Sequence, residues 1–150
     1  MSLIASNKKA YQNFFLTDKV ECGLVLTGGE VKSIRAGHVN FKDSYAKIKG
    51  DEIYLCSLHI NPYKEASYLS AEPERARKLL LHKKEIKRLM GLMTQKAKVL
   101  IPTRLYFNKR GFVKVELAFG EGKKLYDKRD DIKTRDVNRE IARAVRSRQK

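Results

Sequence analysis

Two hydrophobic periods appear along the chain, and together they predict a protein that combines strands with helices. Over residues 112–119 apolar positions alternate with polar ones, which is typical of a strand that buries one face. From Lys83 to Lys96 the apolar residues recur three and four positions apart instead, as they do along one face of a helix. That helical stripe consists of Ile86, Leu89, Met90 and Met93.

Two pairs of strand patterns are joined by turn sequences and predict β-hairpins. The first hairpin joins Tyr45–Lys49 to residues 52–58 across Gly50-Asp51, a dipeptide that suits a tight turn. The second joins Val99–Phe107 to residues 112–119 across the loop 108–111. An earlier apolar segment, residues 14–26, predicts a strand whose end is buried.

Residues 27–30, Thr-Gly-Gly-Glu, have the spacing of a helix capping box. The Thr27 side chain can accept from the N–H of Glu30, while the Glu30 carboxylate reaches back to the N–H of Thr27. This spacing predicts a short helix that runs about to Ala36, with Gly37 placed to end it.

The order of these elements predicts a mainly β fold with α, namely an OB-type small β-barrel with short flanking helices. We assign residues 1–129 to the barrel domain and residues 130–150 to a basic C-terminal tail. The tail has only a thin apolar stripe, so it cannot bury enough area to offset its ordering entropy. On its own it is therefore expected to be disordered.

The charge of the chain indicates its partners. Lys and Arg number 33 against 17 Asp and Glu, which gives a formal net charge of +16. Such a domain attracts polyanions, and nucleic acid comes first because each neutralised phosphate releases a counterion. An anionic membrane is the rival, but no segment approaches the ~18 apolar residues of a spanning helix and no signal-peptide pattern is present. We therefore expect an RNA-binding protein of the cytoplasm without a membrane partner.

The basic residues concentrate in four places. Lys32 and Arg35 share a helix face that can stay exposed. The other patches are Lys8-Lys9, Arg75 with Arg77 and Lys78, and Lys123-Lys124 with Lys128-Arg129. Tyr126 lies within the last patch, where no core is expected, and its ring can serve as a stacking platform for a base. An RRM also binds RNA, but it needs an aromatic-rich signature strand that this sequence lacks.

Signals of metal binding and catalysis are weak. Cys22 and Cys56 form no CxxC pair, and His38, His59 and His82 stand alone without metal-ligand spacing. The Gly28-Gly29 segment lacks the GK[ST] ending of a phosphate loop. We therefore expect no cofactor, no metal and no enzymatic activity.

The runs that carry this chemistry resemble a known family. Asn7-Lys8-Lys9-Ala10 and residues 21–37 are similar to the front half of SmpB, the SsrA-binding protein family. Residues 77–81 and 122–129 resemble later motifs of that family, and the basic tail after Arg129 is a further likeness. The resemblance covers nearly the whole chain in the same order.

The resemblance implies an OB-type barrel that binds the tRNA-like domain of transfer-messenger RNA, the SsrA RNA. It implies delivery of this complex to stalled ribosomes with elongation factor Tu, tagging of the nascent peptide, and a tail that enters the empty messenger channel as a helix. By motif position Asn7, Glu21 and Leu80 are expected to bind RNA. Tyr126 takes a position near the decoding centre that is often histidine in relatives, so only a stacking role carries over.

Two sets of candidate residues follow. The RNA-binding set is Asn7, Lys8, Lys9, Glu21, Lys32, Arg35, Arg77, Lys78, Leu80, Lys123 and Lys124. The set expected at the ribosomal decoding centre is Tyr126, Asp127, Lys128, Arg129, Lys133, Arg139 and Arg143. Glu21 is acidic in a basic protein, so we expect it to orient a cation or accept from a base rather than meet a phosphate.

Two other functions stay open from the sequence. A general RNA-binding or structural ribosomal protein could use the same barrel, and it would bind ordinary tRNA and single strands as well as it binds transfer-messenger RNA. A nuclease is the third possibility, which intact RNA after incubation with and without magnesium would remove. A monomer is expected, since nothing in the pattern indicates a dimer.

Overall fold

Strands dominate the computed structural model, which describes residues 2–63, 72–96, 98–122 and 125–148. Among these residues the strands are β1 (Ser2–Ser6), β2 (Phe14–Leu24), β3 (Val39–Asn40), β4 (Tyr45–Lys49), β5 (Glu52–Cys56), β6 (His59–Ile60), β7 (Arg77–Leu80), β8 (Val99–Phe107) and β9 (Val113–Gly122). The helices are α1 (Lys8–Asn13), α2 (Gly28–Arg35), α3 (Lys83–Lys96) and α4 (Leu125–Arg148). The predicted mainly β fold with short helices is confirmed.

Seven strands form one antiparallel sheet in the order β1-β8-β4-β5-β7-β2-β9, and β9 also pairs with β8. Each strand in the series β8-β4-β5-β7-β2-β9 is hydrogen-bonded to the next one, and the last strand, β9, is hydrogen-bonded to the first, β8. The link between β4 and β8 is short, with Ala46 opposite Leu100, whereas β2 and β9 pair over most of their length. Strands β3 and β6 form a separate sheet.

Both predicted hairpins are confirmed. Strands β4 and β5 pair from Tyr45 opposite Cys56 to Lys49 opposite Glu52, so the turn falls at the predicted dipeptide. In the second hairpin, β8 and β9 flank a tip in which Gly111 has a φ of +82°. A residue with a Cβ rarely adopts that conformation, which explains why glycine occupies the tip.

The short helix α2 begins as its capping box predicts. The backbone N–H of Thr27 donates to Glu30 Oε1 at 2.9 Å, and the N–H of Glu30 donates to Thr27 Oγ1 at 3.3 Å. The predicted bounds of α3, Lys83–Lys96, are also confirmed. The Glu85 side chain accepts from the N–H of His82 at 3.1 Å and so satisfies one of the unpaired donors at its start.

The core lies inside the ring of paired strands and is closed by α2 and α3. The inward positions of β9 alternate as predicted, with Leu117 at 0% exposure while Lys114 and Glu116 are half-buried. The other fully buried apolar side chains include Ile34, Ile53, Leu55, Leu58, Leu89, Leu100 and Leu105. These side chains form one core cluster, which joins strands that are far apart in the sequence.

The sequence pattern did not predict β1 and α1. Strand β1 pairs with the edge of β8, where Leu3 lies opposite Tyr106. Helix α1 has only six residues and depends on a side-chain cap from Asn7. A partner that lies about a hundred residues away leaves no local signal, and a helix this short has no readable period.

Helix α4 crosses the predicted boundary between barrel and tail. It begins at Leu125, so residues 125–129, which we assigned to the barrel, belong to the same helix as the tail. Its apolar residues Val137, Ile141 and Val145 are 53%, 57% and 50% exposed. The two-part division and the disorder of the isolated tail stay predictions. No helix within the described ranges has both the length and the apolar composition needed to cross a bilayer.

Replacing Leu117 with alanine should destabilise the protein by roughly 2–5 kcal/mol, because a fully buried side chain leaves a cavity. Leu3→Ala is the matched control, since Leu3 is 63% exposed and the same change should stay within ~0.5 kcal/mol. Urea unfolding followed by circular dichroism measures both. Equal unfolding midpoints for the two variants would contradict the assignment of Leu117 to the core.

Candidate nucleic-acid interface

A buried ion pair joins α2 to β7. The Arg77 side chain is 0% exposed, and its Nε donates to Glu30 Oε2 at 2.5 Å. Its two remaining nitrogens donate to Leu58 O at 2.6 Å and to Pro73 O at 2.9 Å. Arg75 donates to the other carboxylate oxygen of Glu30. One carboxylate thus fixes the helix against the segment that leads into β7.

Both members of this pair are charged despite their burial. Burial alone would raise the pKa of Glu30, but hydrogen bonds from Arg75, the Thr27 backbone and Arg77 outweigh it and lower the pKa. Burial lowers the pKa of Arg77 from its ordinary value, and the hydrogen bond and charge of Glu30 oppose that shift. A buried charge of either sign is tolerated only with such a partner.

The basic patch predicted at Arg75, Arg77 and Lys78 is therefore not a surface patch throughout. Arg77 is enclosed and its guanidinium is used inside the protein, so the expected contact between Arg77 and RNA can only be indirect. Lys78 reaches the surface, but its Nζ lies 2.9 Å from Glu52 Oε1. Alternation with the buried Leu79 along β7 was the available signal that Arg77 points inward.

Lys32 and Arg35 remain on the exposed face of α2, as predicted. The Lys32 Nζ lies 5.3 Å from the centroid of the Tyr63 ring, and the Arg35 Cζ lies 5.6 Å from the centroid of the Phe107 ring. Aromatic rings at these distances attract cations weakly without neutralising them. Both cations therefore stay available to phosphates.

Asn7 is buried, at 6% exposure, and caps α1. Its Nδ2 donates to Pro102 O at 2.8 Å, and its Oδ1 accepts from the N–H of Ala10 at 3.1 Å. The structure therefore assigns Asn7 a structural task, which is to hold α1 against β8. An effect of Asn7 on RNA binding would then come through the helix it caps.

Lys8 and Lys9 lie on that helix and are exposed, as predicted. Lys9 Nζ lies 2.9 Å from Asp43 Oδ1, and the two side chains are 64% and 86% exposed. Solvent weakens such a pair, so a phosphate can replace Asp43 at little cost. Lys9 and Asp43 line a groove of about 280 Å³ beside α1.

Glu21 lies on an exposed position of β2, and the Tyr106 hydroxyl donates to its carboxylate. Burial, followed by the bond to Glu21, raises the pKa of Tyr106, so the phenol keeps its proton. The two residues line a groove of about 390 Å³ together with Lys19, Arg104 and Glu116. Glu21 is thus a fixed acceptor between cations, which is compatible with contact to a base.

Leu80 is 53% exposed, unlike its neighbour Leu79 at 2%. It lies directly opposite Gly23 on β2, and both residues line a third groove of about 300 Å³. Phe112, 63% exposed, lines the same groove. The sequence analysis did not single out Phe112, although its place after the basic turn 108–111 was a usable signal that it is exposed.

The residues that we predict to contact the ribosomal decoding centre all lie within α4. Lys133, Arg139 and Arg143 are exposed along the helix. The side chains of Tyr126, Asp127, Lys128 and Arg129 are outside the part of the chain that the structure describes, although their backbone is helical. Lys123 and Lys124 lie outside the described residues altogether. The predicted roles of these positions stay predictions.

The described residues contain no group of three or more His, Cys, Asp or Glu side chains that could hold a metal ion. Cys22 is buried, and burial followed by the charges of Glu85 and Glu21 raises its pKa to about 12. That thiol stays protonated and behaves as a small apolar side chain.

The chain is similar to known proteins over nearly its whole length. A family model described as "SmpB protein" matches residues 4–147. The SsrA-binding protein of Symbiobacterium thermophilum is 53% identical over 145 residues, which is 97% of this chain and 92% of the relative. The SsrA-binding protein of Moorella thermoacetica is 49% identical over 150 residues, or 100% of this chain and 97% of the relative.

A solved structure gives the same result. It is described as "tmRNA-SmpB: a journey to the center of the bacterial ribosome", and one of its chains superimposes on this one with a TM-score of 0.68. The two chains are 45% identical, and the match covers 81% of this chain and 85% of the other. Identity at that level accompanies similarity of the fold.

Glu30→Gln should destabilise the protein by about 3 kcal/mol at neutral pH, because it keeps the capping box but leaves Arg77 buried without a counter-charge. Glu52→Gln is the matched control, and loss of its surface pair with Lys78 should shift the unfolding midpoint far less. Urea unfolding measures both variants.

The same comparison has a defined pH dependence. Since folding lowers the pKa of Glu30 below its ordinary 4.5, the stabilisation is present above that pH and is lost as the pH falls through the folded value. The gap between wild type and Glu30→Gln should therefore shrink in acid. A gap that stays constant down to acid pH would show that the charge of Glu30 is not what holds Arg77.

Proposed function

The chain belongs to the SmpB protein family, and from that premise we propose that it binds transfer-messenger RNA and promotes delivery of that RNA to stalled ribosomes. The observation that carries the proposal is the match over nearly the full chain to SsrA-binding proteins. The exposed cations of α1 and α2 and the grooves beside them supply the physical means of binding.

We further propose that the ring of paired strands is an OB-type barrel. A strand order that returns through β9 to β8, with α3 between β7 and β8, supports this architecture. Such a barrel removes open sheet edges and gives the cations a rigid surface. A rigid surface suits an RNA with a fixed tertiary shape, such as the tRNA-like domain.

Binding rests on phosphate contacts that position the RNA and on a few contacts to bases. Lys8, Lys9, Lys32 and Arg35 act on phosphates, and each contact releases counterions. Glu21 is held by Tyr106 as an acceptor for a base donor. We propose a binding role rather than catalysis, in the cytoplasm, with the chain as a monomer.

The tail acts at the ribosome in this proposal. Helix α4 presents Lys133, Arg139 and Arg143 together with exposed apolar residues, and that composition suits a channel lined with RNA phosphates. Tyr126 supplies a stacking ring near the decoding centre, with Asp127, Lys128 and Arg129 beside it. Elongation factor Tu takes part through the RNA complex. The nascent peptide is then tagged by trans-translation, which frees the ribosome.

Filter binding separates this function from general RNA binding. The protein should bind the tRNA-like domain of transfer-messenger RNA at least tenfold more tightly than elongator tRNA or a single strand at equal salt. If six cations meet phosphates, log affinity should fall with log salt at a slope of roughly −4 to −5. Equal affinities for the three RNAs would favour a general RNA-binding or structural ribosomal protein.

Truncation after Arg129 tests the division of labour. The shortened chain should bind transfer-messenger RNA within about threefold of wild type, because the barrel cations are kept, and it should fail to support tagging on stalled ribosomes in a reconstituted translation assay. Replacing Lys133, Arg139 and Arg143 with alanine in the full chain is the companion variant, since alanine preserves the helix. A hundredfold loss of RNA affinity in either variant would contradict the division.

A further inference from the structure

Phe112 is a large apolar side chain that the fold does not use. It lies at the tip of the β8–β9 hairpin and is 63% exposed, although phenylalanine is normally among the most buried residues. The ring therefore contributes little to the core. An exposed ring that also lines a groove is accessible to a ligand.

Hydrogen bonds within the hairpin tip order the backbone from which this ring projects. Asn108 Oδ1 accepts from the N–H of Arg110 at 3.0 Å and from the N–H of Phe112 at 2.9 Å. The Asn108 N–H donates to Phe112 O at 2.9 Å, and the Gly111 N–H donates to Asn108 O at 3.0 Å. Because these bonds already order the tip, a ligand that meets Phe112 loses little entropy on ordering it.

A groove lies beside the ring on the outer face of the sheet, and Gly23, Leu80 and Phe112 line it. Gly23 on β2 lies between Leu80 on β7 and Lys114 on β9, directly opposite both. A Cβ at Gly23 would approach Leu80 Cβ to 3.1 Å, so glycine at this position allows the Leu80 side chain to pack closely over β2. Leu80 and Phe112 line this groove of about 300 Å³, and Val31 of α2 lines it as well.

The charges around the groove favour an anionic ligand. Lys114 is half-buried in its lining, and the exposed Lys109 and Arg110 directly precede the lining residue Gly111 in the chain. The acidic group that lies two positions along the same face of β2, Glu21, is already bonded by Tyr106. Apolar walls inside a basic rim match a planar base attached to a phosphate backbone.

We propose that an unpaired base of the bound RNA enters this groove and stacks on Phe112, with the exposed Leu80 side chain as the apolar wall beside it. The proposal rests on the RNA binding proposed above and names a residue and a contact within it. Lys109, Arg110 and Lys114 then lie beside the phosphates that flank the base. A single-stranded loop of the RNA supplies that base, because bases within a duplex are already stacked.

Substitution at Phe112 distinguishes stacking from plain apolar contact. Phe112→Ala should weaken binding of the tRNA-like domain by roughly 5- to 150-fold, the range for loss of one stacked base. Phe112→Tyr should stay within about threefold of wild type, while Phe112→Leu should lose nearly as much as alanine, since it has no aromatic face. None of these variants should change the salt slope, whereas Lys109→Ala with Arg110→Ala should reduce it by ~1 to 2.

Tryptophan fluorescence gives a second readout. The sequence contains no tryptophan, so all the indole emission of a variant comes from the one tryptophan that is introduced. Phe112→Trp should show strong quenching when the tRNA-like domain binds, because a base stacks on the indole. Val137→Trp is the control, since Val137 is 53% exposed on α4 and should show little change. Thermal unfolding of the Phe112 variants should match wild type, because the ring is exposed.

Each outcome is decisive. If wild type does not bind the tRNA-like domain, the proposed function fails. If wild type binds but Phe112→Ala or Phe112→Leu binds equally well, the stacking contact fails while the function stands. Emission from Phe112→Trp that shifts to the blue without quenching would indicate an apolar protein partner in the groove, and it would also overturn the proposal.

Discussion

The carboxylate of Glu30 holds the basic elements of this protein in one arrangement. It accepts a hydrogen bond from the Thr27 N–H in the capping box at the start of α2. It also accepts hydrogen bonds from the guanidinium groups of Arg75 and Arg77, in the segment that enters β7. Helix α2 carries Lys32 and Arg35, and β7 carries Leu80. A single buried carboxylate therefore ties the helix that carries two exposed cations to the strand that carries an exposed apolar side chain, and the proposed RNA binding depends on their relative placement.

The acidic residues also help to hold the cations of this protein in place. In a chain of net charge +16, repulsion between cations opposes compaction, and the acids are placed where they limit it. Glu52 meets Lys78 and Asp43 meets Lys9 at the surface, and solvent keeps both pairs exchangeable. Glu30 is 6% exposed, so solvent competes little with its pairs to Arg75 and Arg77. The acids thus fix the interior while leaving the outer cations ready to exchange a carboxylate for a phosphate.

Local signals in the sequence predicted local structure. The Gly50-Asp51 turn, the capping box at Thr27 and the period of α3 each depend on neighbouring residues, and each was confirmed. The strand β1 and the helix α1 were missed because they depend on β8, whose residues lie about a hundred positions away. For Arg77 the alternation with Leu79 was a local signal of burial, but Glu30, the partner that makes a buried charge tolerable, lies 47 residues earlier. The groove at Phe112 arises only where β7, β2 and β9 meet, so no stretch of sequence contains it.

In the proposed complex the RNA lies on the outer face of β7, β2 and β9 and on the helices α1 and α2, while α4 contacts the ribosome. Ultraviolet cross-linking of the complex with full-length transfer-messenger RNA, followed by mass spectrometry of the protein, tests this placement most directly. Cross-linked peptides should come from residues near Gly23, Leu80 and the 108–112 tip, and from α1. Cross-links confined to residues 125–148, or to β3 and β6, would contradict it.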